Sequence, residues 1–266
     1  MQKITSRDNQ RLKLARKVRD GNAGDLIFVE GTRLAEEVTR SNLKISDVFF
    51  TKSFAADERG RAFLNKLKDF NLAEVSPNIF DSLSDTKNPQ GIIVICEKPE
   101  TNKHSIETNL FVEKKFPLVI LLHRINNPAN LGAILRTCEA VNVAGVILTK
   151  NSADAFSPKA LRGAMGASLR LALWTNADFY EVLDWAREQD LISICADVNA
   201  EKSYLEVDWR QPRLLVFGSE AHGLSAVEKE QIGESLIVPM ENDVESLNLA
   251  VSCAVILFEA KRQTGK

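Results

Sequence analysis

Between residues 119 and 238 the chain is punctuated by short runs in which almost every residue is apolar. They are Val119-Ile120-Leu121-Leu122, Val146-Ile147-Leu148, Leu191-Ile192-Ser193-Ile194, Leu214-Leu215-Val216-Phe217 and Leu236-Ile237-Val238. A strand with one wet face alternates apolar and polar residues, whereas a continuously apolar run has no wet face. Helical patterns separate these runs, over residues 130–140, 159–165, 179–188 and 226–232; Leu131, Ile134, Leu135 and Cys138 recur at helical spacing in the first, and Asn130 is its expected N-cap. Such alternation implies a parallel sheet covered by helices on both faces. Residues 247–261 read as a closing helix, apolar almost all round, which needs burial on more than one side.

The first 98 residues follow the same logic less regularly. Helices are expected over 4–19, 32–41 and 63–70, and strands over 26–29, 48–50 and 91–96, which makes a small α/β domain. Residues 99–116 contain Pro99, Thr101, Asn102, Lys103, His104 and the Lys114-Lys115 pair, with few side chains for a core. They read as a linker, leaving 117–266 as the second domain.

Charge excludes a bulk basic protein: 34 Lys and Arg stand against 36 Asp and Glu, a net charge of −2. The first 20 residues nonetheless hold Lys3, Arg7, Arg11, Lys13, Arg16, Lys17 and Arg19 against Asp8 and Asp20. A local basic arm suits a polyanion held at one end, and equally a solvated amphipathic helix. Cys96, Cys138, Cys195 and Cys253 are far apart in apolar stretches, and no C-x-x-C occurs. Reduced, buried thiols in a cytoplasmic protein are the expectation. His104, His123 and His222 are scattered without metal-ligand spacing, so no metal is expected. The N-terminus lacks the apolar core of a signal peptide, and the run at 247–260 is too short and too polar for a bilayer, so no membrane partner is expected.

Ligands of parallel sheets sit beyond the carboxyl ends of strands, and three strand-end loops carry unusual residues: 126–136, 217–225 and 238–248. No G-x-G-x-x-G follows a strand and no G-x-x-x-x-G-K-[ST] occurs, which argues against a dinucleotide-dependent dehydrogenase or a P-loop enzyme. Gly218 and Gly223 flank Glu220, whose charge would repel a pyrophosphate. Backbone groups with Val238, Met240 and Leu247 instead suit a flat base and a thioether.

These loops resemble the three signature motifs of the SpoU/TrmH family of RNA ribose 2′-O-methyltransferases. The first is carried by Asn127-Pro128, Asn130 and Arg136, the second by Phe217-Gly218-Ser219-Glu220-Ala221-His222-Gly223-Leu224-Ser225, the third by Val238-Pro239-Met240 and Ser246-Leu247-Asn248. They stand in family order over roughly the last 150 residues, with Ser157-Pro158 and residues 162–167 adding to the likeness. Residues 28–34 and Asn88-Pro89-Gln90-Gly91 resemble the ribosomal-protein-like substrate-binding domain that many members carry in front.

The resemblance implies a trefoil knot in a C-terminal methyltransferase domain, S-adenosylmethionine held among the knotted loops, a homodimer, and ribosomal RNA as substrate. Transfer RNA as substrate and a non-catalytic RNA-binding protein on the same scaffold are the alternatives. By the same analogy Arg136 is the central catalytic residue; because a guanidinium hardly deprotonates at neutral pH, its expected task is to clamp the neighbouring phosphate and stabilise the developing oxyanion. Asn130 is expected to fix the loop or touch the ribose, Glu220 to orient Asn130 or Arg136, within the chain or from a partner subunit. Ser246 and Asn248 would bond substrate or cofactor, or simply cap the last helix. Phe217, Gly218, Ser219, Val238, Met240 and Leu247 are expected at the cofactor. Arg7, Arg11, Arg16 and Arg33 are candidate phosphate contacts.

Overall fold

The structure is a computed structural model that describes residues 2–110, 116–242 and 244–265. In chain order the first elements are β1 (Gln2–Ile4), α1 (Gln10–Arg19), β2 (Leu26–Glu30), α2 (Thr32–Arg40), β3 (Ile45–Thr51), α3 (Lys52–Ala56), α4 (Glu58–Lys66), β4 (Leu72–Val75), α5 (Pro77–Leu83) and β5 (Ile92–Glu97). Then come α6 (Lys103–Leu110), β6 (Phe116–Leu122), α7 (Pro128–Val141), β7 (Val143–Thr149), α8 (Pro158–Ala164), β8 (Leu173–Ala177), α9 (Phe179–Glu188), β9 (Ile192–Ala196), β10 (Arg213–Phe217), α10 (Ala226–Glu230), β11 (Glu234–Leu236) and α11 (Leu249–Thr264). They build two compact units, Met1–Pro99 with Ala155–Leu169, and Glu100–Asp154 with Arg170–Lys266.

The first unit is a mixed five-stranded sheet in the order β1-β4-β3-β5-β2. Phe28, Phe49, Ile93 and Ile95 pack there with Leu12, Ala15 and Val18 of α1 and Phe80 and Leu83 of α5. The helix expected from residue 4 starts only at Gln10: Ile4 lies in β1 opposite Val75, and Asn9 caps α1 by accepting the Arg11 N–H. The side chains of Ser6 and Asn9 accept the N–H groups of Asp8 and Arg11 and so favour a turn over a helix interior. Residues 155–169, expected inside the second domain, belong here, where Arg162 Nη2 lies 2.7 Å from Asp85 Oδ2. Buried Glu30 shapes the Asp85 loop, accepting from the Ser84 hydroxyl, from Asp85 N at 2.8 Å and from Thr86 Oγ1 at 2.6 Å.

The second unit is a six-stranded parallel sheet, β11-β9-β10-β6-β7-β8, as the apolar runs require. Val119, Leu121, Ile147, Leu214 and Val216 form its core with Trp174, Trp185 and Ile106. Ile106 corrects the reading of 99–116 as a linker. It is fully buried on α6, and its Cδ1 would lie 2.2 Å from a Cβ on Gly145 of β7; one isoleucine against a glycine docks the helix. The Lys114-Lys115 pair lies outside the described residues. All four cysteines are free and buried.

Candidate active site

The topology places the loops. From β6 the chain builds outward through β7 and β8, then returns to lay β9 and β10 on the other side of β6. The switch point lies between β6 and β10, where loops diverge and leave a crevice. Residues 123–127 and 218–225 leave these two neighbouring strands.

Asn127, not Asn130, caps α7: its Oδ1 accepts the Ala129 N–H at 2.9 Å, and Pro128 opens the helix. Asn130 sits inside the first turn and is free to bond sideways. Its Nδ2 lies 3.3 Å from Glu220 Oε1, and the same carboxylate accepts the N–H groups of Asn126 and Asn127, each at 3.2 Å. Asn248 caps α11, taking the Ala250 N–H on Oδ1 at 2.9 Å, which leaves its Nδ2 to donate to Asn130 Oδ1 at 3.1 Å. Both amide orientations are fixed from the ends: a helix N–H needs an oxygen at Asn248, and a carboxylate needs a donor at Asn130. Glu220, Asn130 and Asn248, one from each signature loop, thus form a relay within one chain.

The relay borders a cavity of about 620 Å³ lined by Phe217, Gly218, Ser219, Val238, Met240, Ser246 and Leu247, among others. Gly218 closes it. A Cβ there would lie 2.2 Å from the Gly223 carbonyl carbon and 2.5 Å from Leu224 N, so any side chain would prise the loop open. Phe217 buries its ring in the core, and Ser219 Oγ accepts the His222 N–H at 3.3 Å. Reading the sequence misses one wall, the loop after β9 with Asp197, Val198 and Asn199, and Lys229 of α10. Asp197 pairs with Lys229. Burial pushes the Asp197 carboxyl up, but the Lys229 hydrogen bond and the Asn199 N–H outweigh it and hold it below the usual carboxylate range. The only sequence signal there is Asp-x-Asn after a strand, and nothing local says that β9 lies beside β10.

Arg136 is exposed on α7, outside the residues lining the cavity, and its side chain has no hydrogen bond or ion pair with the described residues. The basic arm is largely engaged within its own unit. Arg11 holds Asp47 at 2.6 Å, Gln2 at 2.9 Å and the Asn71 carbonyl at 2.6 Å; Arg16 reaches the Arg7 carbonyl and Ser82, and Arg7 the Asn78 carbonyl. Arg33 is exposed in the first turn of α2, next to Thr32, whose N–H is taken by Gln90 Oε1 at 2.9 Å. Among the described residues no cluster of His, Cys, Asp and Glu could hold a metal, and no helix is long and apolar enough to cross a membrane.

Residues 117–258, which contain the whole relay and cavity, match the model of the SpoU rRNA Methylase family. The chain belongs to that family. Residues 7–94 of this SpoU member match the MRM3-like substrate binding domain. An uncharacterised tRNA/rRNA methyltransferase of Synechocystis is 30% identical over 98% of this chain and 93% of its own. The 23S rRNA (guanosine-2′-O-)-methyltransferase RlmB of Coxiella burnetii is 30% identical over 78% of this chain and 84% of its own. An AdoMet-bound rRNA methyltransferase from Sinorhizobium meliloti shares the fold at a TM-score of 0.84, with 23% identity, 98% of this chain and 97% of that one covered.

S-adenosylmethionine is the cofactor of this SpoU protein, and the cavity fits it. The Gly218 turn lets backbone approach a ligand closely, Leu236, Val238, Met240 and Leu247 offer an apolar surface to a base, and Glu220 and Glu245 suit a cation better than a phosphate.

Proposed function

We propose that the protein methylates a ribose 2′-hydroxyl of ribosomal RNA, with S-adenosylmethionine held against Gly218, Val238, Met240 and Leu247. Bound there, the cofactor supplies an electrophilic sulfonium methyl. The chain's own work is to align the hydroxyl, to hold the adjoining phosphate and to ease loss of one proton. The Glu220–Asn130–Asn248 relay carries this reading, because it ties the three loops into one rigid wall of the cavity. Glu220, accepting from three donors, acts as an anchor for Asn130. Arg136 clamps the phosphate and offsets the charge developing on the 2′-oxygen.

The protein works as a homodimer. Helix α7 exposes Ala129, Ala133, Arg136 and Ala140 along one stripe, and α11, packed against it, exposes Val251 at 49% and Phe258 at 54%. Small residues beside large apolar ones make a face that a second copy can cover. Arg136 then serves the cavity of the partner subunit, consistent with its place outside the cavity of its own chain.

The match of residues 7–94 to a substrate binding domain and the likeness to RlmB, a 23S rRNA methyltransferase, favour ribosomal over transfer RNA. Mapping 2′-O-methyl sites in RNA from cells with and without the gene tests this: loss of one ribosomal site is expected, and loss confined to transfer RNA would reverse the substrate assignment.

A further inference from the structure

We propose that His123 is a positioning residue of the methyl-transfer site: latched between Thr149 and Glu228, it joins the loop after β6 to the loop after β10 and so presents Asn126 and Asn127 to Glu220. The imidazole is 3% exposed, directly after β6. Its Nε2 lies 3.0 Å from Glu228 Oε1 and its Nδ1 3.1 Å from Thr149 Oγ1, with the ring against Phe179 at 4.5 Å between centroids. The directions follow from chemistry. A carboxylate only accepts, so Nε2 carries the proton, and Nδ1 accepts from the Thr149 hydroxyl. The Thr149 oxygen in turn accepts the Arg124 N–H at 3.1 Å, so one neutral tautomer satisfies every group.

Both ends of this latch act on the site. Glu228 belongs to the capping box of α10, where Oε2 accepts the Ser225 N–H at 2.8 Å, and Ser225 closes the 217–225 loop. At the other end Arg124 is held at φ +55°, a left-handed turn that residues with a Cβ rarely adopt. One residue beyond that turn, after Ile125, come Asn126 and Asn127, whose N–H groups meet Glu220. Both imidazole nitrogens are occupied and the ring is outside the cavity lining, so His123 acts through the loops and not on substrate.

The kinetic part of the test rests on the methyl-transfer reading; amide exchange does not. In the full-length protein, His123→Phe keeps an aromatic ring and removes both hydrogen bonds, whereas His123→Gln keeps a donor for Glu228. Hydrogen exchange at Asn126 and Asn127 is expected to quicken at least tenfold in His123→Phe, with β6 unchanged. The kcat for RNA methylation is expected to fall about tenfold at nearly constant RNA KM, and His123→Gln to restore most of both. Exchange at the wild-type rate in folded His123→Phe, or no rescue by Gln, overturns the proposal. Should His123→Phe not fold, Thr149→Val takes its place, with the same acceleration expected and an unchanged rate overturning the latch. A wild-type protein without methyl transfer would sink the functional reading, while the exchange rates would still decide the latch.

Discussion

Asn248 and Asn130, 118 residues apart in sequence, meet side chain to side chain at 3.1 Å, and through Asn130 the cap of the last helix is bonded to Glu220. Each amide has one end fixed by a partner that admits a single orientation, so the relay works as a unit. Asn130→Ala is expected to lower methyl transfer about a hundredfold, the usual cost of displacing a catalytic wall by about 1 Å. Asn248→Ala should do likewise and also lose about 1 kcal/mol of stability with its helix cap. The double variant should fall short of the sum, because both break the same chain of bonds; additive losses in kcat would separate the two residues.

Gly218 makes a sharper case for the cofactor loop. Gly218→Ala places a Cβ about 2.2 Å from the Gly223 backbone, which cannot retreat without opening the turn. Titration calorimetry should show S-adenosylmethionine bound at least tenfold more weakly, in a protein whose core strands still unfold cooperatively. Unchanged affinity would move the cofactor away from this turn.

Arg136 should separate binding from chemistry. Arg136→Ala is expected to bind S-adenosylmethionine as the wild type does and to lose about 10²–10³ in methyl transfer, the typical effect of deleting one group that stabilises an oxyanion. Arg136→Lys should rescue little, since an ammonium cannot reproduce a bidentate grip on phosphate. Near-normal turnover of the alanine variant would remove Arg136 from the mechanism.

Stability should respond to pH through His123. Burial lowers this imidazole below its ordinary value of 6.5; Glu228 and Asp178 oppose the shift, and Arg124 adds to it. As pH falls the unfolded chain takes up the proton first, so the stabilisation is complete above 6.5 and drains away as pH drops from there through the folded-state pKa. Glu228, held below its ordinary 4.5 by Ser225, His123 and Arg124 against the effect of burial, adds its own loss only at lower pH. Thermal melts between about pH 7 and 5.5 should therefore slope more steeply for wild type than for His123→Gln; parallel slopes would mean that the buried imidazole does not titrate with folding.

The dimer face is tested at Phe258. Phe258→Glu alters a side chain that is 54% exposed in the single chain, so it should leave folding intact and halve the mass measured by light scattering. With Arg136 then absent from the partner's cavity, methyl transfer should be lost along with dimerisation. A monomeric wild type would end this part of the account.

How much of this the sequence displays depends on distance along the chain. The parallel sheet is legible because Val119 to Leu122 and Leu214 to Phe217 are apolar at every position, and the three loops are legible because each motif is local. The cap of α7 is legible too: Pro128 at the first helical position points to Asn127 as the cap in place of Asn130. Other features are set by residues far apart. Arg11 reads as one more basic residue of the arm, and nothing local shows that Asp47 of β3 and the Asn71 carbonyl just before β4 hold it. Strand β8 is hidden because Asn176 turns left-handed at φ +58° within Leu173–Ala177. The loop after β9 gains its meaning only from the strand order, which places it beside the Gly218 turn.

The most direct test uses purified protein, S-adenosylmethionine labelled in its methyl group, and a ribosomal RNA transcript, followed by alkaline hydrolysis. A methyl on a ribose 2′-oxygen blocks cleavage at that link, so the label should appear in an alkali-resistant dinucleotide for wild type and vanish for Arg136→Ala. Label recovered in ordinary mononucleotides, and hence on a base, would contradict the account, as would an RNA left unlabelled by a protein that binds the cofactor.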